Sequence, residues 1–256
     1  MAARQDRLDE LFALVRKGDL VCALQFIEQI CSQGTCSIEL LQIKYDLQFR
    51  IGDSENAIKT LKQLVAVDRN DCISLCNLAL LILQKHKASE CLEYVNQAID
   101  LQPNNAKAFC IRGMALVQIG RLSAANDAYS QAIKIKSDYA EAYSLRGICL
   151  QLMAMYESAE QNYQSAIRLK PDYCEAYLNY GALFFEKNNI IQSIELYQKA
   201  VSINPVYSKA YSNLAISYMH LMMFDEALDA CETAIRQNTR DAESQWNKVL
   251  IKLLLG

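Results

Sequence analysis

Small and bulky apolar side chains recur along this chain at a fixed step, longer than any helical turn or strand. Phe109, Gly113, Ala125, Tyr129 and Ala132 are answered by Tyr143, Gly147, Ala159, Tyr163 and Ala166. Tyr177, Gly181, Ser193, Tyr197 and Ala200 follow, then Tyr211, Ala215, Ala227, Cys231 and Ala234, each set 34 residues on. The punctuating residues share the step. Pro103, Pro171 and Pro205 fall on it, as do Gly113, Gly147 and Gly181, while Gly18, Gly52, Gly120 and Gly256 fall on it at another phase. A period of this length is the signature of stacked helical hairpins. Within the unit at 106–139 the pattern predicts helices at 107–119 and 122–135, joined at Gly120.

In that register the chain divides without insertion into repeats 4–37, 38–71, 72–105, 106–139, 140–173, 174–207 and 208–241. Residues 242–256 are then the first helix of an eighth repeat or a capping helix, and the whole of 1–256 is one solenoid. The physical reasons are local. Small residues at the eighth and twentieth places let two helices approach closely, because interaxial distance follows the side chains at the crossing. Aromatic residues fill the space toward the next hairpin. Proline near the end of each repeat cannot continue the second helix and sets its break. Toward the N-terminus the pattern loosens. Arg7 and Leu41 stand at the aromatic place, Leu11 and Tyr45 at the small eighth place, and Ile30 and Leu64 where later repeats have alanine. Ala23 and Ala57 keep the twentieth place and Gly18 and Gly52 keep the turn, so these are divergent terminal repeats.

These positions resemble the tetratricopeptide family over essentially the entire chain. The resemblance implies an all-α fold, a right-handed α-solenoid of helix-turn-helix hairpins whose first helices line a concave face. The work it implies is that of a protein-protein interaction scaffold, holding a peptide or protein ligand on that face. The inner positions of such a helix are chiefly the second, fifth, sixth, ninth, twelfth and thirteenth. At the sixth place stand Asn77, Asn179, Asn213 and Asn247. An amide both donates and accepts, which suits pairing with a peptide backbone whatever its sequence. Such a row resembles the asparagine ladder of O-linked N-acetylglucosamine transferases. Lys107 and Lys209 at the second place complete the expected peptide-binding set, beside Glu141 and Glu175; Cys110, Ser144, Leu178 and Ser212 stand at the fifth. The ninth place holds Leu80, Met114, Ile148, Ala182 and Ile216, which excludes the lysine and asparagine arrangement that grips carboxyl termini in some family members.

Composition narrows the alternatives. With 8 Gly and 3 Pro the chain is too poor in turn formers for an all-β fold. A formal charge of −3 with interspersed signs leaves no basic stripe for a run of phosphates, so nucleic acid is not an expected partner. A helical array reading RNA would show a 35-residue period and a basic groove, and this chain has neither. Charges through residues 4–19 interrupt any signal-peptide core, no window has the length of a membrane span, and a soluble cytosolic chain is expected. Its ten cysteines are then expected to stay reduced.

Catalytic chemistry finds no footing. His86 and His220 sit in no catalytic or metal motif, and His86 takes the turn glycine's place. Cys72 and Cys76 are one turn apart but have no second pair to complete a metal site. No phosphate-cradling loop or nucleophile elbow is present. No enzyme activity, cofactor or metal is therefore expected of these residues. The alternative reading is an N-terminal recruiting arm of a larger bacterial glycosyltransferase, because the stretch around Trp246, Asn247 and 253–256 resembles the helix preceding the enzyme in such fusions. Residues 249–255 carry one polar side chain, Lys252. Trp246, Leu250, Leu253 and Leu254 are accordingly expected to meet a further domain or, through homo-oligomerisation, a second copy.

Overall fold

The computed structural model describes residues 10–32 and 36–255, and every regular element among them is a helix. Arg7 and Gly256 lie outside the described residues. The chain forms two compact units, residues 1–120 and 121–256. The first holds α1 (10–16), α2 (Leu20–Ser32), α3 (Ile38–Arg50), α4 (Ser54–Val67), α5 (Cys72–Gln84), α6 (Ala88–Leu101) and α7 (Ala106–Gln118). The second holds α8 (Leu122–Ile135), α9 (Ala140–Leu152), α10 (Tyr156–Leu169), α11 (Cys174–Glu186), α12 (Ile190–Ile203), α13 (Ser208–His220), α14 (Phe224–Gln237) and α15 (Ala242–Leu255). Odd-numbered helices open the repeats and even-numbered ones close them.

Each hairpin turns on one residue in the left-handed region. Gly18, Gly52, His86, Gly120, Ala154, Asn188 and Met222 all have φ between 56° and 79°, and they stand 34 residues apart. The following N–H then reaches back five residues, as from Asp53 to the Gln48 carbonyl at 2.9 Å or from Asn189 to the Phe184 carbonyl at 2.8 Å. This wrapping bond satisfies a carbonyl left open at the helix end. Glycine adopts the left-handed conformation freely, whereas His86, Ala154, Asn188 and Met222 hold it against their own Cβ. Between repeats the chain makes a second recurrent turn. The residue after the closing helix is extended, and its carbonyl accepts from the N–H three places on, as Lys170 does from Tyr173 at 3.0 Å and Asn204 from Tyr207 at 3.1 Å. Pro171 and Pro205 occupy the first central position of these turns, where a fixed φ is suited.

The core follows the repeat lattice. The twentieth place (Ala23, Ala57, Cys91, Ala125, Ala159, Ser193 and Ala227) is fully buried throughout. In the second unit a Cβ on Gly147 would lie 2.7 Å from the Tyr163 ring, and one on Gly181 would lie 2.5 Å from the Tyr197 ring. Both tyrosines are buried, so the glycines are there to admit them. Burial pushes the Cys91 and Cys231 thiols up to about 11, which keeps them protonated and inert as small packing groups. One cysteine expectation is corrected. Cys31 at the end of α2 and Cys36 before α3 are joined by a disulfide. Their spacing in sequence carried no signal of it. The other described cysteines form no disulfide. Among the described residues no helix is long and apolar enough to cross a membrane.

Candidate functional site

The opening helices of the second unit carry one row of amides. Asn179 on α11, Asn213 on α13 and Asn247 on α15 occupy the same place in successive repeats, and all three are half-buried. Their surroundings differ. Asn213 lies beside the Tyr197 hydroxyl, whose pKa burial raises and this amide partly lowers. Asn179 has no side-chain partner among the described residues. The Asn247 Nδ2 is buried with no acceptor among them, an unmade bond at a position that costs free energy when left so. Beside this row run the ninth-place residues Ile148, Ala182 and Ile216, half-buried and apolar. Lys209 is exposed at the second place.

In the first unit the fourth amide is already engaged. Lys107 Nζ donates to Asn77 Oδ1 at 3.1 Å, so these two expected site residues meet each other. The fifth-place residues correct the inward expectation: Cys110, Ser144, Leu178 and Ser212 are buried. The reason is visible at Ser212. Ser244 on α15 donates to its hydroxyl at 2.9 Å, and Ser212 in turn donates to Asp241 at 2.7 Å, so this place faces the next opening helix. Trp246 at the same place on α15 is 68% exposed, and Leu250, Leu253 and Leu254 are exposed with it.

The other edge of this face was not singled out from the sequence. Tyr139, Tyr173 and Tyr207 immediately precede α9, α11 and α13, where Ser37, Asp71, Asn105 and Asp241 cap other opening helices. They make no capping bond. Lys136 lies 5.0 Å from the Tyr139 ring centroid, and Lys170 lies 4.8 Å from that of Tyr173. Lys170 also pairs with Glu141 at 3.4 Å. Burial pushes the Tyr173 hydroxyl up to about 12, helped by the Glu141 and Glu175 carboxylates. The signal was available: the three tyrosines stand 34 residues apart.

Tandem hairpins of two helices, crossing at small residues and stacked through the same places in each repeat, define a class of helical repeat proteins. Models of the tetratricopeptide repeat match residues 113–153, 140–173, 175–207 and 208–240. The stretches so matched, between residues 113 and 240, are tetratricopeptide repeats. No curated protein matches its sequence. Among solved structures, a tetratricopeptide repeat protein from Parabacteroides merdae is 15% identical with a TM-score of 0.84, covering 98% of this chain and 100% of that one. The Cut9–Hcn1 hetero-tetramer of the APC/C is 18% identical with a TM-score of 0.70, covering 97% of this chain and 49% of that one. YrrB, described as a TPR protein with an unusual peptide-binding site, is 18% identical with a TM-score of 0.51, covering 73% of this chain and 97% of that one. At these identities the likeness is one of fold.

Proposed function

We propose that the chain is a binding scaffold that holds a peptide segment of a partner protein along the opening helices α11, α13 and α15, with Asn179, Asn213 and Asn247 pairing its backbone. The observation that carries this reading is the Asn247 Nδ2, a buried donor without a protein acceptor in a row of amides at equivalent places. A backbone carbonyl would supply the acceptor, and a neighbouring N–H could bond the amide oxygen, without demanding any particular side chain. YrrB offers a precedent for peptide binding in this fold. Lys209, exposed beside the row, adds a cation at its edge, whereas Asn77 and Lys107 satisfy each other and contribute only after their bond is broken. The test is selection of peptides from a random display library on the full chain, followed by the triple variant Asn179→Ala, Asn213→Ala, Asn247→Ala. Each lost bond should cost about 1 kcal/mol of affinity. Unchanged affinity would refute the ladder.

A second reading, a recruiting arm working beside a glycosyltransferase domain, rests on residues 242–256 and on the exposure of Trp246, Leu250, Leu253 and Leu254. In that case these four side chains are the contact, and Trp246→Ala would release the domain while leaving peptide binding intact.

A further inference from the structure

The Lys170 ammonium sits on a site made by two other residues. It lies 4.8 Å from the Tyr173 ring centroid and 3.4 Å from the Glu141 carboxylate, held there by the turn that bonds the Lys170 carbonyl to the Tyr173 N–H. One repeat further on the same frame recurs with its cation missing. Tyr207 replaces Tyr173, Glu175 replaces Glu141, and the turn closes at 3.1 Å, but Asn204 stands where the lysine was. The backbone is alike at the two positions, φ −138° and ψ 87° at Lys170 against φ −129° and ψ 92° at Asn204. The Asn204 amide turns instead to its own backbone, accepting from the Val206 N–H at 3.2 Å.

The remaining groups of the frame are open. Glu175 is exposed and makes no ion pair among the described residues, and Lys209, the nearest cation along α13, does not reach it. The Glu175 carboxylate nonetheless lies close enough to Tyr207 to raise its hydroxyl's pKa, after burial the largest cause. Tyr207 has also lost a neighbour. The Ser144 hydroxyl lies near enough to that of Tyr173 to lower its pKa, but the equivalent residue is Leu178, and the Tyr207 hydroxyl has no side-chain partner among the described residues. An aromatic face beside a carboxylate attracts a cation through both the ring quadrupole and the charge.

We infer that the notch formed by Tyr207 and Glu175 receives a lysine or arginine side chain of the bound segment, in the place that Lys170 fills for Tyr173 and Glu141. The inference deepens the peptide-binding reading and rests on it only for where the cation comes from. It predicts that the segment carries a basic residue toward the α11–α13 edge of the amide row, and that the row and the notch together set its register.

The test needs no partner. The full chain, labelled with ¹³C-tyrosine, is titrated with N-acetyl-argininamide and N-acetyl-lysinamide, with N-acetyl-norleucinamide as the uncharged control. The cationic amides should move the Tyr207 ring signals saturably and the control should not. Glu175→Gln should weaken the response by up to about fivefold, the scale of an exposed ion pair, since the ring contact remains. Asn204→Lys restores the internal cation on a backbone that already carries lysine one repeat earlier, and should move Tyr207 without ligand and abolish its response. An equal response to the norleucine amide, no saturable response, or one undiminished in both variants overturns the notch. The two readings fail separately. Selected peptides that lack lysine and arginine and ignore Glu175→Gln would remove the notch and leave the ladder, whereas a responsive notch in a chain that selects no peptide would remove the ladder alone.

Discussion

The two units solve the same crossing with different side chains. In the first, Ala79 and Val95 occupy the eighth and twenty-fourth places of one repeat and Tyr45 and Leu61 those of another, a mainly aliphatic core joined by Leu75, Leu78 and Ile82, with Tyr45 partly buried against it. In the second, Gly147 and Gly181 admit the Tyr163 and Tyr197 rings against the bare backbone. Tyr163 then meets Tyr180 at 5.8 Å between centroids, and Tyr180 meets Phe184 at 4.9 Å. The helix ends differ too. Ser37, Asp53, Asp71 and Asn105 cap α3, α4, α5 and α7 in the first unit and leave α6 uncapped, while in the second Asn189 and Asp241 cap α12 and α15 but α9, α11 and α13 begin at tyrosines that cap nothing. The lesson is that the 34-residue frame tolerates either source of stability, close ring packing or capped helices. A tyrosine in place of a cap puts an aromatic ring at the start of α9, α11 and α13.

The sharpest break of this comparison lies at the glycines. Gly181→Leu forces a side chain into space the Tyr197 ring already fills, and should cost about 3 kcal/mol, the upper end for overpacking. Urea unfolding measures it, and a loss no greater than that of His220→Ala would contradict the packing described. Gly181→Ala combined with Tyr197→Val imports the pairing of Ala79 and Val95, and should be more stable than Gly181→Ala alone. Next in size are the caps. Asp71 accepts from the Ile73 and Ser74 N–H groups and from the Ser74 hydroxyl, so Asp71→Ala should lose about 1–2 kcal/mol, whereas Tyr173→Ala removes no cap. Equal effects on α5 and α11, read by amide hydrogen exchange, would erase the distinction between the units.

Smaller gains should come from the hairpin turns. Met222→Gly and Ala154→Gly relieve a left-handed residue and should stabilise by about 0.5–1 kcal/mol in thermal unfolding, a benefit Gly52 already has. The smallest effect is a pH dependence. Partial burial works against the Asp241 charge, but hydrogen bonds from Ser212, the Ser244 N–H and hydroxyl, and the Glu243 N–H hold its pKa below the ordinary value. Its contribution is thus present above the ordinary carboxylate pKa and is lost as pH falls through the lower folded value. The stability gap between the native chain and Asp241→Asn should therefore be widest near neutrality and close in acid.

Much of this was open to reading from residues alone. The period placed Gly147, Ala159 and Tyr163 as packing residues, and they are the buried crossing. It also marked His86 as a turn residue, which its positive φ explains. It did not extend that reading to Ala154, Asn188 and Met222, because alanine and methionine do not announce a left-handed backbone and asparagine does so only weakly. The amide row was legible as a row of places, but not the engagement of Asn77 by Lys107 or the unmet donor on Asn247, since both depend on neighbours one helix away.

The sequence by itself determined the repeat length, the helical hairpins and the small-residue crossings, because each is a local or strictly periodic demand of backbone and volume. The tertiary structure decided what the periodic places face. It buried the fifth-place Ser212 against Ser244, seated Lys170 on Tyr173 and Glu141, and left Tyr207 and Glu175 with the same frame and no cation. Those outcomes turn on which side chain of an adjoining helix or turn comes within hydrogen-bond or ion-pair distance, and a period along the chain specifies positions without specifying partners.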